Sequence, residues 1–292
     1  MQDYVVRSTA AGGLIRAMAA RTTLLVDEVR RRHHTYPTAT AALGRALTAA
    51  AIMSVDLGEN HTITIRVLGD GPLGGIVAVA EAGGRVRGYV QEPATHLPPR
   101  PDGKLDVGAA VGKGTLTIAK DLGLKEPYTG TVPLVSGEIA EDLTSYFYIS
   151  EQIPSVVSLG VLVDVDNSAR AAGGYFLQLM PGAGNQLVDL LERNVQEMPA
   201  VSSLVDQGRE PEEILEMVLS GTGVKLYQRF PVSFTCTCTR ERLERALISL
   251  GKDELESILV EQGEAELSCH FCSQVYHFGE KDLRRLLSQV KR

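Results

Sequence analysis

Tryptophan is absent from the chain, and aromatic residues make up only 5% of it. Proteins that hold single-stranded nucleic acid stack successive bases on aromatic side chains, so no platform of that kind is evident. Positive charge is also in short supply, with 29 lysines and arginines against 36 aspartates and glutamates, a net charge of −7. An interface dominated by phosphate contacts needs a basic excess, so nucleic acid is not an expected partner. No run of eighteen apolar residues occurs, and no membrane span or membrane partner is expected. The opening Met1-Gln-Asp-Tyr-Val-Val-Arg7 lacks a basic segment leading into an apolar one. No secretory signal is therefore expected, and the cytoplasm is the expected location. The most informative scarcity is cysteine, which does not occur at all in the first 235 positions.

The four cysteines that do occur read Cys236-Thr-Cys238, then thirty residues, then Cys269-His-Phe-Cys272. Cysteines used as core filler would not be confined to one short stretch, so the four require a common explanation. Four thiolates fill a tetrahedral zinc shell without geometric strain. A C-x-x-C pair with a second pair about thirty residues away is a pattern of zinc modules. The first pair departs from that pattern by being C-x-C, whose members share a strand face and must both reach one metal. Two disulfides are the competing arrangement, and a reducing compartment disfavours them. One Zn2+ per chain is expected, held by Cys236, Cys238, Cys269 and Cys272. His270 and His277 lie close by in sequence, but four sulfurs complete the shell without them.

At 292 residues, 44% hydrophobic and 22% charged, the chain is long enough for one large core and a smaller unit. Residues 4–20, with Gly12-Gly13, suggest a strand and turn. Thr22 or Thr23 is the expected cap of a helix running to Arg32, and Pro37-Thr38 opens an alanine-rich helix over 39–55. Strands are expected at 61–67, 76–80, 85–90, 115–119, 159–165 and 174–179, with an amphipathic helix inside 132–148. From residue 185 the texture turns helical, with a Leu187, Leu190, Leu191, Val195 stripe, then Leu204-Val205, then a helix begun by Pro211 with Glu212 and Glu213 in its first turn. Residues 184–231 hold four basic and eight acidic side chains, and helices this short are marginal unless they dock. Beyond them come a helix over 240–250 capped by Thr239, and a second ending at Gly263 with Asp253 and Glu256 as its capping pair. A hairpin over 267–278 bearing the second thiol pair and a helix over 281–290 complete the chain. The expected class is α+β, with an N-terminal sheet-and-helix domain over 1–183, a helical linker over 184–231 and a small C-terminal zinc-binding domain over 232–292.

Three other motifs invite a chemical interpretation. Arg30-Arg31-Arg32-His33-His34 resembles an anion site, but cations at a helix C-terminus complement the dipole, and adjacent histidines diverge on a helix. Gly108-Ala-Ala-Val-Gly112-Lys113-Gly114-Thr115 resembles a phosphate loop, which needs four residues between its glycines and a Ser or Thr directly after the lysine. Here three intervene and Gly114 follows Lys113. Glu138, Glu141 and Asp142 share a helical segment, but acid–base work also needs a pocket and a matched partner. No catalytic residue is assigned, and an enzyme is not expected.

The cysteine pattern resembles that of the heat shock protein 33 family, the redox-regulated bacterial chaperones. GPLGGIVAVAEAGG (71–84), GRVRGYV (84–90), GKGTLTIAKDLG (112–123), VPLVSGEIAEDL (132–143) and AGGYFLQLMPGA (172–183) extend the likeness over essentially the whole chain. The resemblance implies an ATP-independent holdase for unfolding, aggregation-prone client proteins, inactive when reduced and zinc-bound, active when oxidised, and then a homodimer. It also implies, in agreement with proximity in sequence, disulfides Cys236–Cys238 and Cys269–Cys272 as the oxidised products. Metal-bound sulfur is thiolate, the form that peroxide or hypochlorous acid attacks, and loss of the metal exceeds what a module of about sixty residues can spare. Two readings from other classes compete, a zinc-ribbon nucleic-acid binder and a thiol–disulfide oxidoreductase using Cys269-x-x-Cys272. The near-neutral thiol module opposes the first. The second motif normally sits near the start of a βαβ unit, not near a chain's end.

Overall fold

The structure, a computed structural model, describes residues 2–290; Met1, Lys291 and Arg292 lie outside it. The chain divides into two compact units, Met1–Thr235 and Cys236–Arg292. The first contains β1 (Tyr4–Ala10), β2 (Ile15–Arg21), α1 (Thr23–His33), α2 (Pro37–Met53), β3 (Thr62–Gly69), β4 (Gly75–Glu81) and β5 (Arg85–Val90). It continues through α3 (Val107–Val111), β6 (Gly114–Asp121), β7 (Tyr128–Pro133), α4 (Ala140–Tyr146), β8 (Ser155–Val163) and β9 (Ala169–Leu179). It closes with α5 (Asn185–Glu197), α6 (Val201–Asp206), α7 (Pro211–Val218), β10 (Lys225–Pro231) and β11 (Ser233–Phe234).

Two sheets enclose α2. One runs β10-β1-β2-β9-β8 and is antiparallel. The other runs β11-β5-β4-β3-β6-β7 and is antiparallel except where β11 joins β5. Within α2 only Pro37, Arg45 and Met53 escape full burial. Its alanines explain how a helix fits between two sheets, since small side chains keep the layers close. At Gly44 a Cβ would lie 2.8 Å from Val26 Cγ1 and 2.9 Å from Val161 Cγ2. The stretch Pro37–Asp56 is long and apolar enough to cross a membrane by length and composition, although Arg45 and its threonines break any continuous apolar run. Here it is the axis of the interlayer core, mostly buried.

The other face of the five-stranded sheet is apolar too. Tyr4, Val6, Ala17, Ala19, Ala171, Tyr175 and Leu177 point into it. Leu191 of α5, Leu204 and Val205 of α6, and Ile214, Leu215 and Val218 of α7 cover it. The marginal helices therefore dock on the sheet, as their stripes require. A polar tether secures α7: the Tyr4 hydroxyl lies 2.6 Å from carboxylate oxygens of both Glu210 and Glu212, between which its single proton is shared, and Arg21 pairs with Glu210 at 2.8 Å.

Several local expectations change. Residues 225–231 form a strand, β10, paired with β1 rather than a continuation of helix. Like β7, β10 is largely exposed and lacks apolar alternation, so periodicity did not reveal either. Thr22 stands at the start of α1 but makes no capping bond, its hydroxyl going to Thr48 at 2.6 Å. Asp3 from β1's end instead accepts the Leu25 N–H at 2.7 Å. The arginines after it pair within their own helix, Arg30 and Arg31 with Asp27, and Arg31 and Arg32 with Glu28.

The glycine loop at 108–115 holds a carboxylate of its own chain. The Lys113 N–H donates to Asp70 Oδ1 at 2.7 Å, and a Cβ on Gly112 would sit 2.3 Å from that oxygen. Asp142, read from sequence only as part of an amphipathic helix, is fully buried and accepts N–H bonds from Val135, Ser136, Gly137 and Ile139. Glu138 precedes α4 and pairs with Arg45 and Arg100.

Candidate metal centre

The second unit is built from α8 (Arg240–Ser249), α9 (Lys252–Glu261), β12 (Ala265–Ser268), β13 (Val275–Phe278) and α10 (Glu280–Leu287). Thr239 caps α8 as its sequence suggests, its hydroxyl accepting the Arg242 N–H at 3.3 Å. The capping pair proposed for the next helix does not form. Gly251 occupies that position, and Glu256 pairs with Lys252 at 3.4 Å. Only Leu247, Leu255, Phe278, Leu283 and Leu286 make up its fully buried apolar cluster. Around them Arg240 stacks on the Phe278 ring at 4.4 Å and pairs with Asp282 at 2.8 Å, while Arg285 pairs with Glu244 at 2.6 Å.

The β12–β13 hairpin pairs Ser268 with Val275 and so brings both ends of the Cys269–Cys272 turn together. Inside that turn the Ser273 N–H donates to the Cys269 carbonyl at 2.8 Å and the Cys269 N–H to Gln274 at 3.0 Å. Ser273 takes φ 57°, a left-handed conformation that reverses the chain. Cys236 and Cys238 arrive on the extended segment just before α8. All four sulfurs lie within 4.8 Å of one another. No cysteine is in a disulfide, Cys272 is buried, and the other three are half-buried.

The nearest pairs lie across the two motifs, Cys236–Cys269 at 3.7 Å and Cys238–Cys272 at 3.4 Å. That differs from proximity along the chain, because a tetrahedral cluster interleaves its two ligand pairs. Four sulfurs at about 2.3 Å from a common centre would be separated by about 3.8 Å, close to these distances. The donor set and its spacing could hold a zinc-type ion.

Local groups differentiate the thiols. Burial pushes Cys236 and Cys272 above the usual thiol range, outweighing N–H groups of Cys238 and Gln274 that favour their thiolates. Burial also opposes ionisation of Cys238, but the Tyr276 hydroxyl at 3.3 Å and the neighbouring thiols outweigh it and lower its pKa. Tyr276 is itself raised to about 12 by its bond to Cys238. Sequence spacing could not associate Tyr276 with the cluster; only the hairpin register, opposite Leu267, does so. His277 is exposed and faces Glu266 at 3.3 Å, and neither it nor His270 belongs to the four-ligand group.

The chain thus joins an α+β unit, with amphipathic helices on one face of a sheet, to a small module of four clustered thiols. A family model for the Hsp33 protein matches residues 3–279. The chain is 57% identical to a 33 kDa chaperonin of Desulforamulus reducens, over 100% of this chain and 99% of that one. It is 49% identical to that of Geobacillus kaustophilus over the full length of both. A crystal structure titled 33 kDa chaperonin (heat shock protein 33 homolog) from Thermotoga maritima superposes with a TM-score of 0.92 at 38% identity, covering 99% of each chain. The chain belongs to the Hsp33 family.

Proposed function

We propose that this chain is a redox-regulated, ATP-independent holdase whose reduced form is inactive and holds one Zn2+ through Cys236, Cys238, Cys269 and Cys272. The observation that carries the proposal is the pairing of that four-sulfur cluster with a unit of only five fully buried apolar side chains. Bound zinc would hold the sulfurs as thiolates and cross-link the two ends of the unit. Two equivalents of peroxide, each taking two electrons and two protons to become water while one thiolate pair becomes a disulfide, remove all four ligands. Within the folded cluster every sulfur is in reach of the others. Once the unit opens, the short separations in sequence favour Cys236–Cys238 and Cys269–Cys272.

The thiol unit begins at Cys236, directly after the β11 edge strand, where the Thr235 N–H donates to Val86. Loss of order in residues 232–292 frays that edge and then β10. The linker helices of 184–231 lose an anchor, and their departure uncovers the apolar sheet face beneath α5–α7. An exposed apolar patch of that kind binds unfolded chains. Residues 1–183 are thus the client-binding core, in a cytoplasmic protein that pairs as a homodimer when oxidised.

The test follows light scattering of a heat-aggregating client mixed with the protein. Suppression should appear only after peroxide and mild heat, with about one zinc per chain released to a chromogenic chelator. Equal suppression before and after oxidation, or metal retained after the thiols are lost, would refute the switch.

A further inference from the structure

Beside the four sulfurs stands a side chain that their ligand count does not use. Along β13 successive side chains face opposite sides, so Tyr276 and Phe278 turn inward while Val275 and His277 are exposed. Phe278 is fully buried in the unit's apolar cluster, and the Tyr276 ring packs against that cluster. The ring is thereby held with its hydroxyl at the thiols, 3.3 Å from Cys238 Sγ and 3.5 Å from the Cys238 carbonyl.

A thiolate has no proton to give, whereas a phenol has one. With Cys238 as a thiolate, the contact therefore runs one way, Tyr276 donating and the sulfur accepting. Backbone N–H groups of Cys238 and Gln274 serve Cys236 and Cys272, and those donors come with the chain whatever side chains it carries. The Tyr276 hydroxyl is different, because it reaches one sulfur and depends on one side-chain atom. A donor draws charge from a thiolate and slows its attack on electrophiles. Cys238 is only half-buried, so small reagents reach it. A hydrogen bond to a charged group is worth about one to two decades in an equilibrium. About half of that, on a logarithmic scale, carries into the rate at which a thiolate attacks.

We propose that Tyr276 restrains the cluster: its hydroxyl, donated to Cys238, holds down the rate at which that sulfur attacks an oxidant. The attack itself is simple to balance. A sulfur lone pair forms an S–O bond as the peroxide O–O bond breaks, and the second oxygen leaves as hydroxide and is protonated to water. A second thiolate then displaces hydroxide from the sulfenic acid, forming the disulfide. The consequence for regulation rests on the redox reading above; the sulfur chemistry does not.

The experiment compares full-length, reduced, zinc-loaded parent and Tyr276→Phe, each first assayed for about one zinc per chain. Each is exposed to limiting iodoacetamide, or to hydrogen peroxide with dimedone to trap sulfenic acid. Labelling at each of the four cysteines is timed by mass spectrometry. Cys238 should react about three- to tenfold faster in Tyr276→Phe, while Cys236, Cys269 and Cys272 change by less than about twofold. An equal rise at all four sulfurs would mean that the variant merely loosens the unit, and would overturn the proposal. So would an unchanged rate at Cys238, or a Tyr276→Phe protein that cannot hold zinc, since the hydroxyl would then be structural. Failure of the redox reading looks different: the parent would keep its zinc and thiols in peroxide, while iodoacetamide still compares Cys238 in the two proteins.

Discussion

Stripping the metal from the reduced protein, with no oxidant present, isolates what the thiol cluster contributes to folding. In small modules structural zinc supplies about 10–16 kcal/mol of apparent binding free energy, against a typical whole-domain stability of about 5–15 kcal/mol. The apolar side of the unit is thin, with Leu247, Leu255, Phe278, Leu283 and Leu286 as its only fully buried aliphatic and aromatic residues. With so few buried anchors, losing a contribution of that size exceeds what the unit can spare once the cluster is open. A strong chelator under reductant should therefore melt α8, α9 and α10, helices of 10, 10 and 8 residues. Far-UV circular dichroism should lose their signal. Amide exchange should rise throughout β12, β13 and the three helices, yet stay slow in α2, which lies between two sheets. A metal-free, reduced protein with unchanged exchange in that unit would show that its core stands without the cluster, and the proposed trigger would fail.

Cys272→Ser replaces the most buried ligand sulfur with a poor zinc ligand, and bound metal should fall well below one per chain by elemental analysis. Leu215→Ala empties a fully buried position under α7 and should cost about 2–5 kcal/mol; bound hydrophobic dye should appear at lower denaturant than in the parent. Gly44→Ala drives a methyl into Val26 and Val161 and should cost about 1–3 kcal/mol, seen as a lower Tm. Burial raises Asp3 to about 6, outweighing the N–H bonds of Leu25 and Leu24 and the charge of Arg21. A carboxyl raised in the folded state contributes stability that is full below its unfolded pKa and is lost as pH rises through about 6. The parent should lose about 2–3 kcal/mol between pH 4 and 7 from this group, and Asp3→Asn should flatten that slope in denaturant titrations.

How far the sequence could be read depended on whether a residue's role was local. The 39–55 helix, the 76–90 hairpin and the Thr239 cap were all legible, because a Pro-Thr start before an alanine-rich run, a Gly83-Gly84 turn and a hydroxyl before a helix act over a few residues. The edge strands β7 and β10 were not, since exposed strands need no apolar alternation and are defined by the neighbour that pairs with them. Asp142 was read only as part of an amphipathic helix and is a buried acceptor for four backbone N–H groups. Its donors lie three to seven residues before it, so the role is local, but it shows only once the start of α4 is placed just before Asp142 rather than earlier in the segment.

By itself the sequence determined that the four cysteines belong to one group, since their confinement to residues 236–272 and their paired spacing call for a common explanation before any fold is known. It also determined that the helices after residue 184 must dock, because their stripes are too short to stand in water. Only the tertiary structure decided what they dock on, an apolar sheet face assembled from β1, β2 and β9. Likewise, only it decided that Tyr276 meets Cys238 and that the nearest sulfurs belong to different motifs. The physical reason is the same in each case. Ligand chemistry and helical periodicity are properties of neighbouring residues, whereas a covered face, a cross-strand contact and a sulfur–sulfur distance exist only once remote segments meet.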